Sequence, residues 1–305
     1  MAIQKEIWAA DIAGKLFPND SWMQHSTDDS AFVENRRVHL AQSGALPTVE
    51  VNRVYTGAQV VAQLRVDTDA DYTIDEHTTT PVTIPDIEIT EVNYNKRQSV
   101  IGSHAKVLNL SIANRMQYSW APTLAANLIR TTGTAAPAQV IGATGNRKPA
   151  TIEDFLKLKG IFDDMDVDEM DRHALVPSFM LNDFIANNKT LLTNLNLSGD
   201  AIFANGNLKT IFGFAIHTRG KKNILTYDGG ANPAPRIPGA AALATANAAI
   251  LAWSPEYVRR ALGAVKVFES NQNPFLYGDG FSALARAGGK KWYDDQTGVV
   301  ALVEA

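Results

Sequence analysis

The chain has 305 residues, of which 45% are hydrophobic and 20% charged, and its formal net charge is -4. That length and apolar content support one large domain or two modest ones with a real core, and they exclude a disordered chain. The absence of cysteine removes disulfides, thiolate catalysis, zinc–cysteine sites and iron–sulfur clusters, and the mildly acidic balance argues against a protein built to neutralise phosphates.

The opening, MAIQKEIWAADIAGKLF, has neither an uninterrupted apolar core nor a cleavage-like site, so it does not read as a signal peptide. No window approaches the run of about 20 apolar residues that crosses a bilayer. The expectation is a protein made in, and soluble in, a cytoplasm. Residues 2–17 suit a short amphipathic helix with Ile3, Ile7 and Ala10 on one face and Trp8 beside it, stopped by Pro18-Asn19-Asp20. Residues 20–50 are polar and turn-rich up to Gly44 and Pro47. Residues 1–50 therefore read as an arm, with too few apolar residues to close a core alone.

From Val49 to Val92 the pattern is that of strands. In VVAQLRVD, Val60, Ala62, Leu64 and Val66 point one way and Val61, Gln63, Arg65 and Asp67 the other. DYTIDEH alternates again through Tyr72, Ile74 and Glu76, and Asp67 to Asp71 supplies turn residues. TTTPVTIPDIEIT carries Pro81 and Pro85, which places it at a sheet edge. An isolated hairpin is marginal in water. The hairpin at 60–76 therefore needs a layer to lie on, and a neighbouring subunit is the expected supplier.

Next comes the strongest periodic signal. Ile101, Ala105, Leu108, Ile112, Met116 and Trp120 step by three or four, with Ser103 as N-cap and a kink or restart at Pro122 before a second piece ending near Arg130. Residues 133–150 read as a loop or linker. Thereafter Thr151 to Asp154 resembles a capping box opening a helix whose buried face carries Ile152, Phe155, Leu156 and Phe162. HALV reads as a strand, Pro177-Ser178 as the start of a helix to Ile185, and GFAIHT and AAILAW as strands. Residues 229–243 read as a mobile loop. Ser254-Pro255-Glu256 reads as the cap of a third helix. AVKVFES, FSALARA and VVALVEA close the chain as strands.

The chain carries no complete motif for chemistry. Asp164, Asp166 and Asp168 have the first spacings of a calcium loop, but Glu169 stands where glycine is needed and Leu175 where glutamate is needed. Gly142, Gly145 and Lys148 fail the P-loop pattern, since Asn146 follows the second glycine and Pro149 follows the lysine. Gly278-Asp279-Gly280 lacks the continuation of a dinucleotide fingerprint. The histidines, His25, His39, His77, His104, His173 and His217, show no ligand spacing on any one element. There is no G-x-S-x-G elbow. The pairs Arg36-Arg37 and Lys221-Lys222 are too small for a nucleic-acid patch, and Trp120, Trp253, Trp292 and Tyr293 read as core or interface packing. The sequence assigns no catalytic, cofactor-binding or metal residue, and no cofactor.

The ordered series KEIWAADIAGKLFPNDSW, RRVHLAQSGALP, VNRVYTGAQVVAQLRVDTDADYTIDEHTTTP, EVNYNKRQSVIGSHAKVL, LIRTTG and GVVALVEA resembles the major capsid proteins of tailed bacteriophages, whose fold is shared with encapsulin shells. The resemblance is to a subgroup from phages and prophages of Bacteroidota and covers nearly the whole chain. It implies an α+β fold with an N-terminal arm at 1–50 and an extended β-hairpin loop at 51–92. It implies a peripheral domain at 93–149 and 266–305 with a spine helix from about 103 to 130, and an axial domain at 150–265. The final strands would return to the peripheral sheet. The implied function is structural: pentamers and hexamers of the chain close an icosahedral shell around double-stranded DNA, which a separate motor packages without sequence-specific binding. A portal is an implied partner. The arm pattern begins almost at once, so scaffolding is expected from a separate protein, or from an earlier piece already cut off. Some relatives cross-link between Lys and Asn, but nothing here assigns such a pair. Candidate inter-subunit contacts are Arg65, Asp67, Asp75 and Glu76 on the projecting hairpin and Arg97 at its base. The rival readings are an encapsulin-type shell around a cargo enzyme, a soluble α/β enzyme, and a minor virion component.

Overall fold

The computed structural model of the protein describes residues 9–10, 12–16, 21–42, 44, 49, 51–53, 64–85, 96–188, 203–204, 207–230, 232–273 and 277–305, with backbone alone at 96–97, 203–204, 207 and 271–273. The principal strands are β1 (Thr27–Asp28), β2 (Asp75–Thr78), β3 (Val82–Pro85), β4 (Leu128–Arg130), β5 (Arg172–Pro177), β6 (Thr210–Ile211), β7 (Phe214–Arg219), β8 (Thr226–Tyr227), β9 (Pro235–Arg236), β10 (Asn247–Trp253), β11 (Val258–Asn273), β12 (Gly278–Lys291) and β13 (Val299–Val303). The principal helices are α1 (Lys96–Trp120), α2 (Ile152–Asp164) and α3 (Ser178–Asn187).

Two sheets organise the molecule. An eight-stranded sheet runs β6-β7-β5-β10-β8-β9, with β13 on the other edge of β10 and β4 beyond it. Strands β10 and β13 read as unbroken apolar runs because both faces are covered. Leu251, Trp253, Val299 and Ala301 join the α1 core, while Ile250, Ala252, Val300 and Leu302 join the core formed with α2 and α3. The second sheet is a long antiparallel ribbon of β11 and β12, edged by β1 on one side and by β2 and β3 on the other. Helix α1 lies across β12. Gly289 is what lets it settle there, since a Cβ at that position would come within 2.7 Å of both Arg259 O and Met116 Sδ.

The predicted face of α1 is buried throughout, from Ile101 to Trp120. Its bounds differ from expectation. The helix has 25 residues, about 37 Å at 1.5 Å per residue. Ser103 lies inside it, where its hydroxyl donates to Ser99 O at 3.0 Å instead of capping an end. The helix stops at Trp120 and does not resume. Pro122 lacks the N–H a further turn would need, and proline pushes the residue before it out of the helical region. The expected second piece is a 3-10 turn at Ala125–Asn127 followed by β4. The open end is closed from the far end of the chain. Lys291 Nζ donates to Ala121 O at 2.7 Å, and Gln296 Oε1 accepts from the backbone of Thr123 and Leu124.

Other expectations are corrected in the same way. Ser254 and Pro255 open only a 3-10 turn, Pro255–Tyr257, and the chain then runs as strand for 16 residues. Pairing along nearly all of β12 outweighs the local helix-start signal. Leu156 is exposed on α2 and Leu158 is buried in its place, because the contact stripe runs Phe155, Leu158, Phe162. The capping box holds: Thr151 and Asp154 exchange side-chain and backbone hydrogen bonds. Residues 229–243 contain β9, paired with β8, and Asp228 Oδ1 accepts from the Ala234 N–H at 3.0 Å, so the loop is held at its neck. Of the closing strands, β13 joins β10 and β4 and does not return to the sheet beneath α1.

The expected hairpin at 60–76 is also revised. Residues 64–67 are not strand, residues 54–63 lie outside the described residues, and Tyr72–Thr73 pairs with Arg37–Val38. The supporting layer comes from the chain itself: β2 and β3 pair with β12. As the prolines require, β3 is an edge strand among the described residues. Helical residues 12–16 agree with the first predicted helix, but the buried residues are Ile12 and Leu16, whereas Ala10 of the expected face is exposed and Ile3, Ile7 and Trp8 lie outside the described residues.

Candidate assembly surface

The segment from Ser21 to Asp29 is laid against both sheets. Trp22 packs edge-on against Trp120 of α1 and Trp253 of β10, with ring centroids 5.4 and 5.8 Å apart. Such pairs contribute about 0.5–1.5 kcal/mol each beyond burial. The indole nitrogens of both partners are satisfied: Trp120 Nε1 donates to Arg259 O at 3.0 Å and Trp253 Nε1 to His25 O at 2.7 Å. Strand β1 then runs parallel to β11, with Thr27 opposite Arg259. Asp29 is buried, accepts from Tyr72 Oη at 3.2 Å and pairs with Arg259 at 3.2 Å. Burial pushes its carboxyl pKa up, and the Arg259 guanidinium opposes this.

Four of the five residues picked from the sequence fall into two groups, and Arg97 stands apart. Arg65 and Asp67 are about half exposed and pair with each other at 2.6 Å. Asp67 also accepts from the Gly44 N–H at 2.9 Å, and this backbone bond, followed by Arg65, holds its pKa below the usual carboxylate range. Beside them Leu64 and Val66 are 90% and 66% exposed. Asp75 and Glu76 are neighbours on β2, partly exposed and pointing to opposite faces of the strand. Asp75 pairs with Arg115 of α1, and Glu76 with Arg286 of β12 at 3.0 Å. Their partners are the chain's own helix and ribbon. Arg97 lies in the first turn of α1, and its side chain lies outside the described residues.

The acidic run that fails as a calcium loop has an ordinary explanation. Arg172, buried at the start of β5, donates to Asp163 at 2.7 Å, and Lys159 bridges Asp163 and Glu169 at 2.9 and 2.8 Å. A cleft lined by Arg37, Asp75, Arg115 and Lys290 carries charges of both signs, and its Asp75 is already paired.

Sequence spacing missed one constellation. His173 on β5 and His217 on β7 share a sheet face, because Leu175 is in register with His217. His25, following the 3-10 turn Trp22–Gln24, stacks on His173 with centroids 3.9 Å apart. One ring nitrogen from each lies within 4.8 Å of the others. Burial, followed by the nearby rings, pushes the His217 pKa down to about 4. Burial also lowers His173, against the pull of Asp171. The signal was a pairing register between strands 44 residues apart in the chain, which no single-element spacing reveals.

No model of a known protein family matches the chain, and no curated protein matches it. Solved structures match along almost all of it. The capsid of Ralstonia phage GP4 aligns over 94% of this chain and 91% of its own, with a TM-score of 0.63 and 13% identity. The fold is that of the tailed-phage capsid proteins. The capsid of Cyanophage P-SCSP1u aligns over 94% and 88%, with a TM-score of 0.62 and 16% identity. A virus-like particle from Pyrococcus furiosus aligns over 98% and 99%, with a TM-score of 0.53 and 10% identity. What is shared at these identities is the fold.

Proposed function

We propose that this chain is the major capsid protein of a tailed phage, a structural and non-catalytic subunit that closes with copies of itself into an icosahedral shell. The observation that carries the reading is the likeness to phage capsids over nine-tenths of both chains. The exposed Leu64 and Val66 beside the Arg65–Asp67 pair support it, since apolar side chains left this open on a strip outside both cores suit cover by a neighbouring copy. We assign residues 1–50 to an arm, 51–92 to an extended loop, 93–149 with 266–298 to a peripheral domain, and 150–265 to an axial domain whose sheet takes in β13. Contact between subunits is assigned first to Arg65 and Asp67. Asp75, Glu76 and Arg97 are secondary, the first two because they already have partners within the chain.

On this reading the shell encloses double-stranded DNA without sequence-specific contacts, and the net charge of -4 suits a lining that does not hold DNA tightly. Separate scaffolding and portal proteins, assembly in a bacterial cytoplasm, and kinship with Bacteroidota phages belong to the same proposal. They rest on the series of sequence segments. The likeness to a virus-like particle favours one second reading, a shell that encloses a cargo protein. Particles purified from the native source and treated with nuclease decide between them. Protected genome-length DNA supports the first reading, and a stoichiometric cargo protein without DNA supports the second.

A further inference from the structure

We propose that His25, His173 and His217 form a three-imidazole site for a borderline divalent metal ion, Zn2+ by preference, that clips the N-terminal segment to the eight-stranded sheet. Four features of the cluster point to a ligand. Each ring offers one nitrogen, and the three lie within 4.8 Å of one another. His173 Nδ1 and His217 Nε2 are 3.2 Å apart. Two nitrogens bound at about 2.0–2.1 Å to one tetrahedral zinc ion are separated by roughly 3.3 Å, so these two rings already stand at ligand spacing. The other nitrogen of His173 meets Asp171 Oδ1 at 2.7 Å. A carboxylate behind the far nitrogen is the partner that orients a metal-bound imidazole and raises its basicity, and it leaves Nδ1 to face the ion. Finally, the rings are held from below. His173 and His217 stack on Trp253, and the Trp253 indole fixes the His25 carbonyl at 2.7 Å.

Three imidazoles with no thiolate and no inward carboxylate suit Zn2+, Co2+, Ni2+ or Cu2+ and not Mg2+ or Ca2+. His173 is buried and the other two rings are partly open, so the fourth position is left to water. Closing the site asks for movement of the His25 ring, which belongs to the docked segment. Metal binding and docking of residues 21–28 are therefore one equilibrium. The inference concerns the single chain and does not rest on the shell reading.

The test uses the full chain without a polyhistidine tag, stripped with chelator and titrated with Co2+ and then Zn2+. One equivalent of Co2+ is expected to bind with the visible d–d absorption of a low-coordinate ion and to be displaced by Zn2+. Thermal unfolding should rise with Zn2+ and not with Mg2+. His217→Asn, at a partly exposed position, should abolish the Co2+ signal. Asp171→Asn, on an open surface, should weaken affinity about 10–100-fold. His39→Asn, outside the cluster, should change neither. Absence of a stoichiometric Co2+ spectrum, or a spectrum unaltered in His217→Asn, overturns the site and leaves the cluster as stacked, hydrogen-bonded packing.

Discussion

Glu304 is a carboxylate buried at the end of the last strand, and replacing it by glutamine isolates what its ionisation does. Its Oε2 accepts from the Ala248 N–H at 3.0 Å, and its backbone pairs with Ala248 and Arg130. Burial pushes its pKa up from 4.5 to about 7, opposed by the Ala248 bond and by Arg147. The unfolded chain therefore gives up this proton first. Between about pH 4.5 and pH 7 the folded chain binds more protons than the unfolded one, so stability falls as pH rises and levels off above the folded pKa. Each pK unit is worth about 1.4 kcal/mol, which makes the total loss roughly 3 kcal/mol. Glu304→Gln keeps the size and the acceptor for Ala248 but cannot ionise. Guanidinium unfolding of both proteins, in chain kept dilute enough to stay unassembled, should give similar stability near pH 5. Near pH 8 the variant should lead by roughly 3 kcal/mol, with unchanged m-values. Asp183, also pushed up by burial, adds a slope of the same sign, and its charge helps to raise the Glu304 pKa, so that shared part of the slope is lost in the variant as well. Parallel pH profiles, or a variant less stable near pH 8, refute the reasoning.

Gly289→Ala should destabilise the chain by about 1–3 kcal/mol in the same unfolding assay. Its Cβ would meet Arg259 O, Met116 Sδ and Trp120 Nε1 within 2.8 Å and push α1 off the ribbon. Gly160→Ala in α2, where a Cβ meets nothing within 4 Å, should instead stabilise by about 0.4–1 kcal/mol through lost freedom of the unfolded chain. Leu64→Asp should leave the chain's own stability within about 0.5 kcal/mol, as an exposed surface change does. It should lower the yield of assembled particles on a sizing column, and an unchanged yield removes this strip from the assembly surface.

Much of the fold was legible where one element's pattern decides it. The six-residue stripe of α1, the Thr151–Asp154 box and the apolar runs of β5, β10 and β13 each carry their own signal and stand where the sequence put them. What failed was decided by partners far along the chain. Val258 to Asn273 is strand because β12 pairs with it, although a proline helix-start signal precedes it. The end of α1 is set by Pro122 but is made affordable by Lys291 and Gln296. Asp75 and Glu76 looked like free charges on a projecting strand, and their partners, Arg115 and Arg286, lie 40 and 210 residues away. The histidine cluster was invisible for the same reason.

The central claim is that the folded chain builds a wall from copies of itself. Electron microscopy of the purified chain at rising concentration tests it most directly. Closed shells, tubes or sheets in which a neighbouring copy covers the strip from Leu64 to Val66 are the expected result. Compact single molecules at every concentration and in every buffer contradict it.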